Sequence, residues 1–248
     1  MVVNGSAMLK SNLIVVTGGT GRFGSVLKNL EGKKLSYLYP TKKELNILNV
    51  NSIKKYLKRK KPKILLHLAG LSRPMKIHDK DIKKSINLNI IGTANIVGVC
   101  SDLGIKLIYF STSYVYPSTK GNYKETDDIY PINNYAWSKL GGESAVRLYK
   151  NSLILRVCMT EKPFIHKYAF KNFTTNFIFH DEVAKVLPKL FKYSGIINVG
   201  GPTKTVYEFA KKYNPKIKSK YIKKSINKTN RLNTSMNISK FKKIINGI

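Results

Sequence analysis

Tyr135 and Lys139, four residues apart, are the side chains of this sequence best suited to proton transfer. Residues at this spacing share one face of a helix, so the phenol and the ammonium group can point the same way. A nearby cation favours the charged form of a phenol, so Lys139 is expected to lower the pKa of Tyr135. Thr112, at the end of a predicted strand, adds a hydroxyl. Such a set suits proton transfer at a carbonyl or alcohol oxygen during hydride transfer.

Spacing alone does not single out this pair, because the chain is rich in both residue types. The same Tyr-x-x-x-Lys spacing occurs at Tyr39/Lys43, Tyr56/Lys60, Tyr116/Lys120 and Tyr207/Lys211. For any one pair, a solvated helix face is the simpler interpretation. The context of Tyr135 distinguishes it: a glycine-rich loop upstream, a strand ending in Ser111-Thr112-Ser113, and a helix that opens near Asn133 or Asn134.

The glycine-rich loop, TGGTGRFG, begins at Thr17 and follows a short apolar run, Asn12 to Val16, which is typical of a buried parallel strand. A helical pattern comes next, so the order is strand, glycine loop, helix, as a dinucleotide fingerprint requires. Gly18 permits the tight turn, Gly21 lets the backbone approach a pyrophosphate, and Gly24 lets the helix pack on the sheet. The helix N-terminus then faces the phosphates.

The end of the second predicted strand, Leu35 to Tyr39, bears on the choice between NAD and NADP. An NAD site usually has an acid there to hold the ribose diol, but here Tyr39-Pro40-Thr41-Lys42-Lys43 follows, with no acid before Glu44. Arg22 and Lys42 or Lys43 are therefore predicted to meet a 2′-phosphate. The alternative is that these cations belong to the general lysine excess and that Thr41 contacts a ribose hydroxyl. The prediction is NADP, with NAD as the alternative.

The remaining pattern alternates strands with helices, which predicts parallel βαβ units. Further strands are expected at Ile64 to Leu68, Ile105 to Phe110, Leu153 to Val157 and Ile196 to Val199. Helices are expected from a cap at Ser52 to Lys60, from Asp81 to Leu103 and over 134–150, and a further helix is expected to end at about Lys192. The fold class is α/β, a Rossmann-like doubly wound parallel sheet with a small, shortened C-terminal substrate lobe. The predicted dinucleotide-binding domain is 12–157, its sheet completed by 176–200. Residues 158–175 and 201–248 form the lobe, and 1–11 are a flexible lead.

The amino-acid composition limits the classes of binding partner that this protein can have. The chain of 248 residues has 45 Lys and Arg against 13 Asp and Glu, formally +32, which is typical of a nucleic-acid or anionic-membrane partner or of a compositional bias. We favour the bias, because lysines lie along most of the chain without a recognised nucleic-acid motif. We therefore expect no specific nucleic acid. No signal peptide or membrane-spanning run is seen, and Cys100 and Cys158 are too few for a disulfide framework, so a cytoplasmic location is expected.

With these residues laid out, the chain resembles the extended short-chain dehydrogenase/reductase family, in its dTDP-4-dehydrorhamnose reductase-like branch. The matching motifs, in the family's order over about 12–210, are TGGTGRFG, ELNILN, NLNIIGTANI, FSTSYVY, KETDDIYPINNYAWSKLGGE and GIINVGG. Asn46 and Asn49 stand where the branch usually has acids. The resemblance implies an NADPH-dependent reductase of a 4-keto nucleotide sugar. It also implies a homodimer through helices 81–103 and 134–150.

The resemblance also assigns roles to residues. It makes Tyr135 the proton donor, Lys139 the binder of the nicotinamide ribose and Thr112 the third catalytic group. Asn46 would face the adenine, and Asn89 would be a structural asparagine. The cofactor-binding set is Gly18, Thr20, Gly21, Arg22, Phe23, Gly24, Lys42, Asn46, Ile47, Leu68, Ala69, Gly70, Asn89, Tyr135 and Lys139, and no metal site is expected.

Two departures from the family's sequence pattern reduce the number of reactions that this protein could catalyse. Related 4,6-dehydratases carry Thr-Asp-Glu where this chain has Thr112-Ser113-Tyr114, so the elimination acid and base are missing. Related epimerase-reductases carry a cysteine at the position of Tyr114. The expected activity is plain reduction. The alternatives are an epimerase or dehydratase of the same family, or a catalytically inactive NAD(P)-binding protein, which the short lobe and the high charge motivate.

Overall fold

A computed structural model describes residues 13–30, 35–222 and 232–247. Its centre is a six-stranded sheet in the order β10-β5-β4-β3-β1-β2, in which every neighbouring pair is parallel. The strands are β1 (Leu13–Thr17), β2 (Ser36–Leu38), β3 (Ile64–His67), β4 (Lys106–Thr112), β5 (Ser152–Val157) and β10 (Gly195–Val199). The predicted α/β class is confirmed, and the predicted lead 1–11 lies outside the described residues.

Helices cover both faces of this sheet. They are α1 (Arg22–Leu30), α2 (Val50–Lys60), α3 (Ile77–Lys80), α4 (Ile82–Ile86), α5 (Gly92–Leu103), α6 (Asn134–Arg147), α7 (His180–Leu190), α8 (Val206–Tyr213) and α9 (Ser239–Asn246). Side chains of α1 and α7 pack on one face, in a core with Ile108 and Leu155. Side chains of α2, α5 and α6 pack on the other, with Leu107 and Ile154. Successive strand residues thus enter opposite cores, as in a doubly wound sheet.

Two helix starts show how local sequence sets these elements. The side chain of Asn133 caps α6 by accepting the backbone N–H of Ala136 at 2.8 Å. The cap of α2 is Asn49, whose side chain accepts the N–H of Ser52. The prediction that Ser52 is this cap is therefore wrong. The Ser52 hydroxyl instead accepts the backbone N–H of Asn46.

The predicted helix Asp81 to Leu103 contains a π-helical turn, Asn87–Ile91, between α4 and α5. The stretch Ile82–Leu103 is long and apolar enough to cross a membrane by length and composition alone, which corrects the expectation that no run has that length. In this fold, Ile96 and Val99 on this stretch belong to the core on one face of the sheet.

A second group of short strands lies outside the six-stranded sheet. β8 (Phe173–Thr175) pairs with β11 (Lys204–Thr205) and β13 (Leu232–Asn233), and β7 (Tyr168–Phe170) pairs with β12 (Lys218–Lys220); β6 (Met159–Thr160) pairs with β9 (Ile178–Phe179). An aromatic core of its own, with Phe164 and Phe209, supports this region. The predicted division into a domain and a lobe stays a prediction. Met236 and Phe241, inside the predicted lobe, pack in the main core.

Candidate active site

A cleft of about 750 Å³ opens at the carboxyl ends of the strands, where open α/β sheets bind ligands. Thr112 at the end of β4 and Tyr135 and Lys139 on α6 line it together with the glycine loop after β1. The structure therefore brings the three predicted catalytic side chains and the predicted phosphate loop to one cavity. Helix α6 packs against β4, and this contact sets the position of Tyr135 beside the strand end.

The Thr112 side chain and the Tyr135 phenol line the same wall of the cleft. The ring of His78 meets the Tyr135 ring edge-on, with 5.2 Å between centroids. Burial raises the pKa of Tyr135, against the opposing effects of the Thr112 hydroxyl and of the Arg73 and Arg22 guanidinium groups. The prediction of a lowered pKa for Tyr135 is wrong in this structure, because desolvation outweighs the favourable contacts. Tyr135 therefore holds its proton at neutral pH.

Lys139 is anchored by Tyr109 on β4. Its Nζ lies 4.1 Å from the centroid of the Tyr109 ring, and the Tyr109 hydroxyl donates to the Lys139 carbonyl oxygen at 3.0 Å. Burial lowers the pKa of Lys139 to about 7, although the Glu143 carboxylate raises it. Lys139 is thus only partly charged near neutral pH, which further explains why it does not acidify Tyr135.

A chain of hydrogen bonds fixes α6 relative to the loop after β3. Asn89, fully buried in the π-helical turn, donates to Ser138 Oγ at 2.8 Å and to the Leu71 carbonyl oxygen at 2.9 Å. Its Oδ1 accepts the Leu71 N–H at 2.7 Å, and Ser138 donates to the Tyr135 carbonyl oxygen at 2.7 Å. These bonds use the amide of Asn89 within the protein, and the residue does not line the cleft. Asn89 thus holds the loop after β3 against α6, and its predicted contact with the cofactor stays a prediction.

A buried ion pair behind the site was not anticipated from the sequence. Arg156 Nη2 on β5 donates to Glu143 Oε1 on α6 at 2.7 Å, and both side chains are fully buried. Ser111 on β4 donates to Glu143 Oε2 at 2.6 Å. Burial raises the pKa of Glu143, but the bonds from Arg156 and Ser111 bring it below its ordinary value. An arginine inside the apolar run Leu153 to Val157 was the available signal, since buried charges need partners.

The glycine loop has the shape that a pyrophosphate site requires. Gly18 has φ +73°, and a Cβ there would lie 2.6 Å from the Ala69 backbone nitrogen. A Cβ on Gly24 would lie 2.6 Å from the Gly18 carbonyl oxygen, so the start of α1 packs tightly on the loop. Gly21 lines the cleft, and a Cβ there would meet only the Gly18 carbonyl oxygen within 4 Å. These residues fit a dinucleotide whose phosphates face the start of α1.

Several predicted cofactor residues lie along the cleft and others do not. Phe23, Leu68 and Gly70 line it, whereas Lys42, Asn46, Ile47, Ala69 and Thr20 do not. Lys42 and Thr20 are exposed, and Ile47 is buried beneath Gly92. The Asn46 side chain accepts the N–H of Leu48.

Arg22 does not turn towards the end of β2, where it was predicted to meet a 2′-phosphate beside Lys42. Its guanidinium group donates to Ser72 Oγ at 2.8 Å and to Glu161 Oε1 at 3.3 Å. Ser72 follows β3, and Glu161 follows β6. Since β3 and β2 flank β1 on opposite sides, the side chain points away from β2. This correction leaves only Lys42 and Lys43 at the predicted 2′-phosphate corner.

The far end of the cleft carries residues that the sequence had not marked as functional. Aromatic and cationic side chains line it together: Arg73, Phe164, Lys167, Tyr168, Phe170, Phe173, Phe177 and Lys220. No group of His, Cys, Asp and Glu that could hold a metal ion occurs in the described ranges. This end of the cleft suits a ligand with both ring surfaces and negative charge.

Fold and site together define an α/β protein of the extended short-chain dehydrogenase/reductase type, as the motifs had indicated. Residues 12–179 match the family described as RmlD substrate binding domain. Because this match covers more than half of the chain, the protein belongs to that family.

Solved structures share the fold. A dTDP-4-dehydrorhamnose reductase from Bacillus anthracis, in complex with NADP, has a TM-score of 0.82 at 20% identity; the match covers 96% of this chain and 92% of that one. A UDP-glucose 4-epimerase from Thermus thermophilus, in complex with NAD, has a TM-score of 0.74 at 18% identity, over 95% and 93%. At these identities the likeness establishes the fold.

Two kinds of curated protein are similar to this chain. Methionine adenosyltransferase 2 subunit beta from Xenopus laevis is 30% identical over 165 residues, which are 63% of this chain and 49% of that protein. A dTDP-4-dehydrorhamnose reductase from Aggregatibacter actinomycetemcomitans is 26% identical over 199 residues, 77% of this chain and 62% of that protein. The chain spans about half the length of relatives of the first kind.

Proposed function

We propose that this protein is an NADPH-dependent reductase of a 4-keto nucleotide sugar, similar to dTDP-4-dehydrorhamnose reductase. The observation that carries this proposal is that Thr112, Tyr135 and Lys139 line the same cleft as the glycine loop. Membership of the RmlD substrate binding domain family and the likeness to reductases of that name support it.

The proposed mechanism assigns a task to each side chain. NADPH, when bound along the glycine loop, would supply the hydride. Tyr135 keeps its proton at neutral pH and gives it to the carbonyl oxygen of the substrate as that oxygen gains charge. Thr112 donates a hydrogen bond to the phenol oxygen and so stabilises the developing phenolate. Lys139 has its pKa near 7, so it can take up a proton and oppose that negative charge.

NADP is the cofactor that we propose, with NAD as the alternative. β2 ends without an acid, and Lys42 and Lys43, just past it, are exposed. The structure in complex with NADP and that in complex with NAD show that relatives of this fold take either cofactor. The two lysines are therefore the residues on which the preference would depend.

Replacing Tyr135 by Phe tests the function. Tyr135→Phe removes the transferable proton but keeps the ring beside His78. We expect NADPH oxidation with a 4-keto nucleotide sugar to fall by about 10²-fold or more, with little change in NADPH affinity. Tyr130→Phe, in an exposed ring 64% accessible, is the matched control. Wild-type turnover by Tyr135→Phe would remove Tyr135 from the proposed role.

A second candidate function is a cofactor-binding subunit without catalysis. It is favoured by the relatives at about 30% identity whose name describes them as a subunit of methionine adenosyltransferase 2. The Thr112/Tyr135/Lys139 set argues for catalysis, because cofactor binding alone does not require a phenol that can donate a proton beside a second hydroxyl. Measuring NADPH consumption with a panel of keto nucleotide sugars separates the two. Tight NADPH binding without turnover on any of them would favour the subunit.

Assembly and location remain proposals. A homodimer through helices 81–103 and 134–150 is supported by exposed apolar side chains on both, among them Ile86 and Trp137. A cytoplasmic location is supported by the two cysteines, Cys100 and Cys158, which are free and buried. Light scattering that gave only a 28.1 kDa species at micromolar concentration would contradict the dimer.

A further inference from the structure

Three charged side chains meet across the cleft, between the glycine loop and the region of short strands. Glu161 Oε1 accepts from Arg73 Nη1 at 2.9 Å and from Arg22 Nη1 at 3.3 Å, and Oε2 accepts from Arg73 at 3.1 Å. Arg22 also donates to Ser72 Oγ at 2.8 Å. All four residues line the cleft. One carboxylate therefore joins the start of α1 to the loop after β3.

The charges in this cluster do not balance. Two guanidinium groups face one carboxylate, which leaves an excess of one positive charge inside a ligand-sized cavity. Burial raises the pKa of Glu161, but its own backbone N–H and the guanidinium groups of Arg73 and Arg22 hold it below the ordinary value, with a further lowering by His180. Glu161 is thus an anion held by two arginines.

A phosphate group suits the same donors. Guanidinium groups bind carboxylate and phosphate oxygens with the same forked geometry, and a phosphate offers more oxygens and more charge. Exchange is also easy, because the side chains of Arg22 and Arg73 are 42% and 36% exposed and ion pairs at such exposure contribute little stability. The position fits a ligand phosphate too, since Arg22 directly follows Gly21 in the phosphate loop.

We propose that Arg22, Arg73 and Ser72 form a binding site for the diphosphate group of a ligand, and that the Glu161 carboxylate occupies this site until the ligand displaces it. Glu161 is then an internal competitor that sets the affinity of the cleft. The diphosphate belongs either to the dinucleotide cofactor or to a nucleotide-sugar substrate. Both offer the same chemistry to the arginines. This proposal goes beyond the reductase assignment and needs no turnover.

Isothermal titration calorimetry with inorganic pyrophosphate tests the site independently of the proposed reaction. Glu161→Gln removes the competing charge, and we expect it to bind pyrophosphate about fivefold more tightly than wild type at the same ionic strength. Glu161→Ala is a second variant with the same expected gain. Arg73→Ala is expected to weaken binding, because one of the two cations is lost.

Asp102→Asn is the matched control. It also removes one negative charge and one exposed ion pair, to Lys54 at 3.3 Å, but at the end of α5, on the opposite edge of the sheet. We expect its pyrophosphate affinity to equal that of wild type. A gain as large as that of Glu161→Gln would show a general effect of net charge and would overturn the proposal.

Two further titrations identify the source of the diphosphate. A gain for Glu161→Gln with NADPH assigns the site to the cofactor. A gain with UDP, added to protein saturated with NADPH, assigns it to the substrate. If Glu161→Gln and Glu161→Ala bind pyrophosphate, NADPH and UDP no more tightly than wild type, Glu161 does not compete and the proposal is wrong. The pyrophosphate titration does not depend on catalysis. A failed reductase assay would therefore contradict the proposed function without changing this test of the diphosphate site.

Discussion

Arg156→Met should destabilise this fold strongly, because it leaves a buried carboxylate without its main partner. Arg156 and Glu143 are both fully buried, with Nη2 and Oε1 2.7 Å apart. Arg156 Nη1 also donates to the Tyr116 hydroxyl at 2.7 Å. Methionine fills much of the arginine stem volume but cannot donate, so Glu143 would keep its charge in a place that water does not reach.

The size of the loss follows from the remaining partners. Removing one member of a buried ion pair costs roughly 3–5 kcal/mol, because the other charge is left uncompensated. Ser111 and Arg147 still donate to the Glu143 carboxylate, so we expect the lower end, about 3 kcal/mol. For a chain of this length, this loss corresponds to a fall in Tm of about 6–12 °C.

Urea and thermal unfolding followed by circular dichroism measure this loss, and Arg147→Met is the control. Arg147 donates to the same Glu143 Oε1 at 2.9 Å, but its side chain is 43% exposed, so its removal should cost less than about 1 kcal/mol. The double variant Arg156→Met/Glu143→Met should be more stable than Arg156→Met, because the uncompensated charge is gone. Equal losses for the two single variants, or a double variant below Arg156→Met, would refute the reasoning.

Three further predictions concern the site. Gly24→Ala should abolish NADPH binding, measured by fluorescence titration, because its Cβ would lie only 2.6 Å from the Gly18 carbonyl oxygen of the loop. Gly98→Ala is the control: its Cβ would meet nothing within 4 Å, so this variant should bind NADPH normally. Lys139→Met should be more stable to urea than wild type at pH 7, and this difference in stability should shrink towards pH 10.5. The reason is that the folded protein lowers the pKa of Lys139 to about 7, so between these pH values the unfolded chain binds more protons than the folded one. A difference in stability that grew with pH would contradict this. Lys42→Ala/Lys43→Ala should lose preference for NADPH over NADH, and an unchanged ratio of the two Kd values would show that these lysines do not meet a 2′-phosphate.

The parts of the fold and the site that the sequence predicted depend on local patterns. The loop at Gly18 to Gly24 must follow a strand and precede a helix, and both neighbours show in the apolar periodicity. Parallel strands bring their carboxyl ends to one edge, so Thr112 had to lie near that loop. The cap at Asn133 fixed the start of α6 and hence the face that carries Tyr135 and Lys139.

The parts that it missed depend on contacts far apart in the chain. Arg22 turns away from β2 because Glu161, 139 positions later, lies across the cleft. The expected effect of Lys139 on the Tyr135 pKa failed because burial outweighs it, and because Lys139 rests on the Tyr109 ring. Neither burial nor side-chain direction at these positions follows from residue spacing.

Transfer of deuterium from 4-deuterated NADPH to dTDP-4-dehydrorhamnose, followed by mass spectrometry, is the sharpest test of the proposed reductase activity. The proposed reductase would give a reduced nucleotide sugar one mass unit heavier, with the label on the former carbonyl carbon. The product should be formed at least about 10²-fold more slowly by Tyr135→Phe. NADPH that binds tightly while every keto nucleotide sugar tested stays unlabelled and unreduced would contradict the proposed activity.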